Sequence, residues 1–270
     1  MSRVLTLFFT IFLLWSQVSL GKIYVVSVGI ADYKEINDLN MSENDVKVFN
    51  ELMEYQGAEI TTLLGSKATH VNIISALRGT FAKATKDDTM IFFFSGHGYE
   101  GGFCCWDMSA AAPFSLNYGN KDNSDRLTQA NRSFGGLSYE EMQILFRNCR
   151  AGGKIVFADA CFSGGLQKGE RLNLSVQSAR NGDVVFFLSS QTNETSFEMS
   201  DAPNGVFTYF LIEGLLGDAD TDEDGNINIK ELYNYVYKNV TDYASAKNRS
   251  QHPMLWGKFD ESLIVFELKN

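Results

Sequence analysis

The chain has 270 residues, of which 44% are hydrophobic, and a formal net charge of -10 from 23 Lys and Arg against 33 Asp and Glu. This length and hydrophobic content suffice to bury one substantial core, and they suit a single α/β domain. The acidic balance argues against nucleic acid as a partner, because the chain lacks the basic field that releases counterions from phosphates. Basic peptides match its charge better.

The first 21 residues have the pattern of a signal peptide. A positive start at Arg3 precedes an apolar run over 4–15, and Ser19 and Gly21 place small residues at the positions that determine cleavage. The run is short for a membrane span, so an uncleaved anchor is the less favoured alternative. We therefore expect one domain over 22–270, exported to the periplasm or the extracellular space and not stably inserted in a membrane.

Apolar runs of strand length alternate with helical patterns after residue 22. A capping box at 42–45 and a threonine at position 69 each predict the start of a helix. Predicted strands cover 23–30, 60–64, 90–95, 154–159, 183–190 and 262–268, and further helices begin at a second capping box over 138–141, at 205 and after 231. This alternation predicts right-handed crossovers and an α/β fold with a mostly parallel six-stranded sheet. The polar excursion over 99–136 predicts a loop that borders a site.

Two of the apolar runs end in small residues around one reactive side chain. The run from 90 leads to His97 and Gly98, and the run from 154 leads to Cys161. Chemistry in open α/β sheets gathers at the carboxyl ends of strands, so these runs bring an imidazole and a thiol to one edge. A free thiol has a pKa of about 8.5 and gains nucleophilicity at neutral pH from a nearby imidazole. We predict a dyad of His97 and Cys161, although each residue alone also has a purely structural interpretation.

The two motifs carry a family resemblance. Phe94-Ser-Gly-His97-Gly98 and Asp159-Ala-Cys161-Phe-Ser-Gly164 resemble the catalytic motifs of caspase-like cysteine peptidases, most closely the metacaspase and bacterial caspase-like branch. The resemblance covers nearly all of the chain after residue 22, including segments 28–33, 44–45, 191–198 and 253–257. It implies a caspase-like α/β/α sandwich and peptide hydrolysis. In that reaction Cys161 is the nucleophile, His97 is the base and then the acid, and the amides of Gly98 and Cys161 bind the oxyanion.

Asp159 stands two residues before the predicted nucleophile. The resemblance implies that an acidic residue at this place lines the pocket for an Arg or Lys of the substrate, and a carboxylate does attract a cation and repel an acidic side chain. The alternative is a strand-end residue that caps backbone N–H groups. We expect cleavage of protein or peptide substrates after basic residues, with Ser190 as a further contact to the substrate backbone.

The sequence departs from the family pattern in two places. Phe162 follows the nucleophile where many metacaspases have His, and the segment 194–198 matches only in outline. Lys168 and Arg171 lie in the loop after the predicted nucleophile, where members of the family often cleave their own chain. These two basic residues are either such targets or ordinary solvated surface.

An acidic stretch over 220–231 fits the pattern of an EF-hand loop. Carboxylates stand at its first, third, fifth and twelfth positions, and Gly225 at the sixth permits the sharp turn. The predicted Ca²⁺ ligands are Asp220, Asp222, Asp224, Asn226 and Glu231. EF-hands usually occur in pairs and the sequence has no second loop, so the alternative is a plain polar turn.

Three functions follow from these patterns. The leading hypothesis is an exported cysteine endopeptidase with a preference for Arg or Lys, and an influence of Ca²⁺ on its activity is a separate hypothesis. The second is a non-catalytic Ca²⁺-binding module on a caspase-like scaffold. The presence of both His97 and Cys161 argues against it, since degenerate copies usually lose one. The third is a legumain-like peptidase that cuts after Asn.

Overall fold

A computed structural model describes most of the chain after residue 20. The described residues are 21–99, 101–110, 133–161, 184–191, 194, 199, 204–257 and 260–269, with the backbone alone for residue 161. The predicted signal peptide, apart from Gly21, lies outside them, as do Lys168 and Arg171 and part of the loop over 99–136. The division into 1–21 and 22–270 therefore stays a prediction. In the described part, no helix combines the length and the apolar character that a bilayer crossing requires.

Strands and helices alternate as predicted over residues 23–99, and two short strands, at 102–104 and 136–138, then lie within or at the end of the stretch that was predicted as a loop. The described strands are β1 (Ile23–Gly29), β2 (Glu59–Leu64), β3 (Thr89–Tyr99), β4 (Gly102–Cys104), β5 (Gly136–Ser138), β6 (Gly153–Cys161), β7 (Val185–Leu188), β8 (Asn226–Asn228), β9 (Met254–Gly257) and β10 (Ile264–Glu267). The described helices are α1 (Ser42–Tyr55), α2 (His70–Phe81), α3 (Tyr139–Arg147), α4 (Val206–Glu213) and α5 (Ile229–Ala246). A π-helical turn over Gly214–Asp218 continues α4.

The main sheet has the order β2-β1-β3-β6-β7-β9 in the described residues. Its first five strands are parallel, and β9 runs antiparallel to β7. Alternate residues of each strand face opposite sides, so the sheet has two cores. On one side Val26 and Phe92 pack with α2 and α3, and on the other side Val25 and Phe93 pack with α1, α4 and α5. The fold is therefore an α/β/α sandwich around a mostly parallel sheet, as predicted.

The predicted last strand lies in a different sheet. Residues 264–267 do form a strand, but β10 pairs with β8 in a separate two-stranded sheet. The sixth strand of the main sheet is β9, where the Trp256 ring packs 4.8 Å from that of Phe186. An apolar run predicts a strand but does not specify its partner, which depends on contacts that are distant in the sequence.

The predicted capping box at 42–45 is wrong. Helix α1 has Met41 at its N-cap position without a side-chain hydrogen bond. The Asp45 carboxylate instead accepts hydrogen bonds from Ser95 and Gly205, which lie far away in the sequence. A buried carboxylate gains more from several such donors than from a single local cap, so tertiary contacts override the local motif.

The other two predicted N-cap residues, Thr69 and Ser138, are confirmed. The Thr69 hydroxyl accepts from the N–H of Asn72, and the Ser138 hydroxyl accepts from that of Glu141. The Glu141 side chain does not complete the second box, because its Oε2 lies 3.0 Å from Nε2 of His70 in the interior. This buried contact joins α3 to α2.

Candidate active site

The sheet places His97 and Cys161 opposite each other. Strands β3 and β6 are parallel neighbours, and their register pairs Ser95 with Asp159, Gly96 with Ala160 and His97 with Cys161. This last pair lies at the carboxyl end of both strands, at the edge where α/β sheets carry their chemistry. The two residues that the sequence predicted as a dyad are therefore brought together by strand register.

A backbone carbonyl determines the tautomer of His97. The Nε2 atom of this half-buried ring lies 2.8 Å from the carbonyl oxygen of Asn37. Because a carbonyl only accepts hydrogen bonds, Nε2 must carry the hydrogen, and the neutral ring has its lone pair on Nδ1. Nδ1 is therefore the basic atom, and the same carbonyl stabilises the imidazolium once Nδ1 is protonated. Sequence reasoning missed Asn37, since any residue type offers this carbonyl.

Tyr33 holds the backbone of the histidine. Its buried phenol accepts a hydrogen bond from the His97 N–H at 2.7 Å and donates to the carbonyl of Cys104 at 3.4 Å. The centroids of the Tyr33 and His97 rings are 5.0 Å apart. A Cβ at position 96 would lie 2.5 Å from the phenol oxygen, so Gly96 is needed for this close approach. Tyr33 belongs to the segment 28–33 of the family resemblance, but its role is visible only in the fold.

The loop that carries Asn37 is anchored at both ends. The carboxylate of Asp38 accepts from the N–H of Tyr33 at 3.1 Å, and the N–H of Leu39 donates to the carbonyl of Ala31 at 2.8 Å. These bonds tie the loop after β1 to the residue that supports His97. The imidazole and its carbonyl acceptor are thus positioned by one connected group of contacts.

The peptide N–H groups of Gly98 and Cys161 both face the boundary between β3 and β6. The Ser95 carbonyl and the His97 N–H both point to the β1 side, where they bond Ile30 and Tyr33. Successive peptide N–H groups along a strand point to opposite sides, so the N–H of Gly98 faces β6. By the same alternation the N–H of Cys161 faces β3, because Ala160 bonds Ser189 on the β7 side.

Asp159 caps the first turn of α4. Its buried Oδ2 accepts from the N–H of Thr208 at 3.0 Å and from the Thr208 hydroxyl at 2.9 Å. Gly205, the N-cap residue, has no side chain, and a Cβ there would approach this oxygen to 2.1 Å. Asp159 therefore does cap a backbone N–H group, as the alternative interpretation of the sequence expected. A role in substrate recognition stays a prediction.

A second buried carboxylate serves the same helix end. Oδ1 of Asp45 accepts from the Gly205 N–H and from the Asn204 amide, each at 3.0 Å, and Oδ2 accepts from the Ser95 hydroxyl at 2.7 Å. The positive end of the helix dipole favours negative charge at this place. Because β3 pairs Ser95 with Asp159, both carboxylates lie close to the edge that carries the predicted dyad.

The predicted substrate contact, Ser190, is fully buried directly after β7. Its hydroxyl lies 3.5 Å from the carbonyl oxygen of Glu194, and its neighbour Ser189 bonds Ala160 of β6. The segment after β7 is thus held beside the predicted nucleophile. A contact of Ser190 with a substrate stays a prediction.

The other cysteines are poor nucleophiles. Cys104, Cys105 and Cys149 are free and buried. Burial raises the pKa of Cys104 to about 12, and burial also raises the pKa values of Cys105 and Cys149. These three side chains therefore stay protonated at neutral pH, which leaves Cys161 as the candidate thiolate.

The acidic loop brings three of its five predicted ligands together. One carboxylate oxygen from each of Asp220, Asp222 and Asp224 lies within 4.8 Å of the others. The backbone turns sharply here, with positive φ of 58° at Glu223 and 82° at Gly225. The N–H of Asn226 donates to the Asp224 carboxylate at 2.7 Å.

The carboxylate of Glu231 is bonded to other groups of the same loop. Its Oε1 accepts from the N–H and the hydroxyl of Thr221, and its Oε2 accepts from Asn228 in the capping box of α5. The loop strand β8 pairs with β10. The short strand of the acidic loop thus has its partner in residues 264–267.

Comparisons with known proteins agree with this fold. The model of the C14 peptidase family, described as the caspase domain, matches residues 23–263. No curated protein sequence matches the chain. Among solved structures, the crystal structure of protein GSU0716 from Geobacter sulfurreducens is similar with a TM-score of 0.60 and 17% identity, over 92% of this chain and 100% of that one. At this identity the likeness shows the fold alone.

Proposed function

Because the chain belongs to the caspase-domain family of cysteine peptidases, we propose that it is an exported endopeptidase that hydrolyses proteins after Arg or Lys. The observation that carries the proposal is the register that sets His97 opposite Cys161 at the carboxyl edge of the sheet. The hydrogen bond from Nε2 of His97 to Asn37 supports it, because this bond leaves Nδ1 as a base.

The reaction follows from these atoms. Nδ1 of His97 takes the thiol proton of Cys161, and the thiolate attacks the scissile carbonyl carbon. The N–H groups of Gly98 and Cys161 stabilise the resulting oxyanion. The imidazolium then gives its proton to the leaving amine as the C–N bond breaks, which leaves a thioester. Water, deprotonated by His97, attacks this thioester and releases the carboxylic acid and the free thiol.

The preference for basic residues rests on charge near the edge. Asp159 lies two residues before Cys161, and the buried carboxylate of Asp45 lies close to it across Ser95. Both carboxylates are tied to the N-terminus of α4, through Thr208 for Asp159 and through Gly205 for Asp45. The net charge of -10 also favours cationic substrates.

Reporter peptides that end in Arg, Lys, Asp or Asn test the preference. We expect the purified mature chain to cleave after Arg and Lys. Asp159→Asn should lower kcat/KM for these substrates on the order of 10- to 100-fold, because the variant keeps an oxygen for Thr208 but loses the charge. Asp242→Asn, an exposed carboxylate on α5, is the matched control and should behave as wild type.

The outcomes separate the three functions. Preferred cleavage after Asp would contradict the assignment of Asp159, and preferred cleavage after Asn would favour the legumain-like alternative. An unreactive wild type would favour the non-catalytic module.

We also propose that the loop over 220–231 binds Ca²⁺. The clustered oxygens of Asp220, Asp222 and Asp224 support this proposal, since carboxylates this close repel one another unless a cation is present. Glu231 would exchange its bonds to Thr221 and Asn228 for the ion. Asn226 would contribute its carbonyl.

Calcium should raise the melting temperature of the wild type, because a ligand that binds only the folded chain at 100 times its Kd adds about 2.7 kcal/mol to the free energy of unfolding. Asp220→Asn combined with Asp224→Asn should abolish the shift, whereas Asp242→Asn should keep it. Thermal melts with Ca²⁺, with Mg²⁺ and with a chelator measure the effect. Equal melting temperatures of the wild type with Ca²⁺ and with chelator would disprove the site.

A further inference from the structure

The segment just before β9 holds the segment just after β7 through one carboxylate. The N–H of His252 donates to Oε2 of Glu194 at 2.7 Å, and Nδ1 of the same His252 lies 2.5 Å from Oε1. The Ser250 hydroxyl also donates to Oε1, at 2.7 Å. Within the segment after β7, the N–H of Gln191 donates to Oε2 of Glu194 at 3.4 Å. Three of these four bonds join two segments that are more than fifty residues apart in the chain.

The carboxylate is ionised at neutral pH. Partial burial alone would raise the pKa of Glu194, but the hydrogen bonds from Ser250, His252 and Gln191 outweigh burial and lower it. Because an ionised carboxylate only accepts, Nδ1 of His252 must carry a hydrogen in this contact. Hydrogen bonds to an ionised acceptor are about twice as strong as neutral ones, so this contact is well suited to fix a loop.

A second line of contacts runs to the predicted nucleophile. Gln251 is fully buried, and its Nε2 donates to the carbonyl of Ser189 at 3.0 Å. The Ser189 hydroxyl bonds both the N–H and the carbonyl of Ala160, each at 3.0 Å. Ala160 directly precedes Cys161 in β6. The segment 250–252 thus contacts the loop after β7 through Glu194 and the end of β6 through Ser189.

A proline explains why side chains are needed here. The antiparallel ladder of β7 and β9 ends at the pair Leu188 and Met254. Its continuation would require the residue before Met254 to pair with Ser189, but that residue is Pro253, which has no N–H. The bonds of Gln251 and Glu194 replace the missing ladder. The position of residues 189–191 therefore depends on these side chains.

We propose that Glu194 and His252 are positioning residues that hold residues 189–191 beside Cys161 and thereby set the affinity for the substrate main chain. This inference rests on the proposed peptidase function. The chemistry remains with His97 and Cys161, so loss of the contact raises KM and leaves the reacting atoms in place. Of residues 189–191, Gln191 is exposed, and the matched ligand is an extended peptide that pairs with it through its backbone.

Glu194→Gln tests the contact with little change in shape. The Gln side chain has only one acceptor oxygen. Its NH₂ group replaces the other oxygen, so it faces the donors of Ser250 and His252 and cannot accept from them. We expect KM for the Arg reporter to rise on the order of 10-fold, with kcat within about 2-fold of wild type. Alkylation of Cys161 by iodoacetamide does not use the loop and should keep its rate. Glu261→Gln, an exposed carboxylate paired with Lys230, is the control and should match wild type in all three values.

Two substitutions of His252 separate hydrogen bonding from packing. In His252→Asn the side-chain amide nitrogen lies as many bonds from the backbone as Nδ1, so its N–H can still reach Glu194, and KM should stay near wild type. His252→Ala should resemble Glu194→Gln. Equal KM values for His252→Asn and His252→Ala would overturn the hydrogen-bonding role.

Hydrogen exchange of the amides over 185–191 distinguishes failure of this inference from failure of the peptidase proposal. Faster exchange in Glu194→Gln together with a raised KM supports the inference. Unchanged exchange overturns it, whether or not the wild type cleaves any peptide, and so does faster exchange with an unchanged KM. A slower alkylation of Cys161 would also overturn it, since the dyad itself would then depend on Glu194.

Discussion

Replacing Cys161 with Ala should lower kcat/KM for an Arg-ending reporter peptide by about 10⁴-fold or more, because no other group can form the thioester. His97→Ala should cost a comparable factor, since the thiol then lacks the base that faces it across β3 and β6. Both values come from initial rates with protein at concentrations checked by absorbance. Thermal melts of the variants test that the fold is intact.

The matched control for this experiment is Cys149→Ala. This residue is also a free cysteine at the end of an element, but burial raises the pKa of its thiol and it lies away from the carboxyl edge of the sheet. Its variant should keep kcat/KM within about 2-fold of wild type, because neutral packing changes rarely reach the chemistry. If Cys161→Ala kept the activity of wild type, the predicted dyad would be wrong. The activity would then come from another nucleophile of this chain or from a contaminating peptidase.

Asp45→Ala should reduce the free energy of unfolding by about 3–5 kcal/mol, because three buried donors lose a charged acceptor and each unsatisfied donor costs roughly 1–3 kcal/mol. The substitution leaves the Gly205 N–H, the Asn204 amide and the Ser95 hydroxyl without their acceptor inside the protein. It also removes the charge that the N-terminus of α4 attracts. Urea unfolding, followed by circular dichroism, measures the change as a shift of the midpoint.

Two comparisons make this stability result specific. Asp45→Asn keeps one oxygen and should lose less than Asp45→Ala. Asp242→Ala, at an exposed site paired only with Lys238, should change the free energy of unfolding by less than about 0.5 kcal/mol. A loss below about 1 kcal/mol for Asp45→Ala would mean that water or neighbouring groups replace the carboxylate.

Sequence patterns predicted the structure correctly where the interactions join residues that are close in the sequence. The buried strands around Val25, Phe93 and Phe157 follow from continuous apolar runs, which have few alternatives in an α/β chain. The helix starts at Thr69 and Ser138 also follow from short-range rules, because each hydroxyl bonds an N–H three residues away. The meeting of His97 and Cys161 needed only the further rule that carboxyl ends of parallel strands share an edge.

Side chains with long-range partners were the difficult cases. Asp45 and Glu141 occur in sequences that look like capping boxes, yet their carboxylates bond Ser95 and His70 in the interior. The same applies to Asp159, whose contact with Thr208 could be suspected but not placed from the sequence. A carboxylate accepts hydrogen bonds from whichever donors lie near it in the fold. Those donors cannot be identified from the residues that are next to it in the sequence.

The sequence by itself determined the α/β class, the family and the two strands that lead to His97 and Cys161, because apolar periodicity and short motifs are properties of neighbouring residues. Only the tertiary structure decided that β9 and not β10 closes the main sheet, and that Asn37 and Tyr33 support His97. It alone revealed the contact of Glu194 with His252. These arrangements depend on backbone groups and on partners distant in the chain, so their free energy exists only once the sheet has assembled.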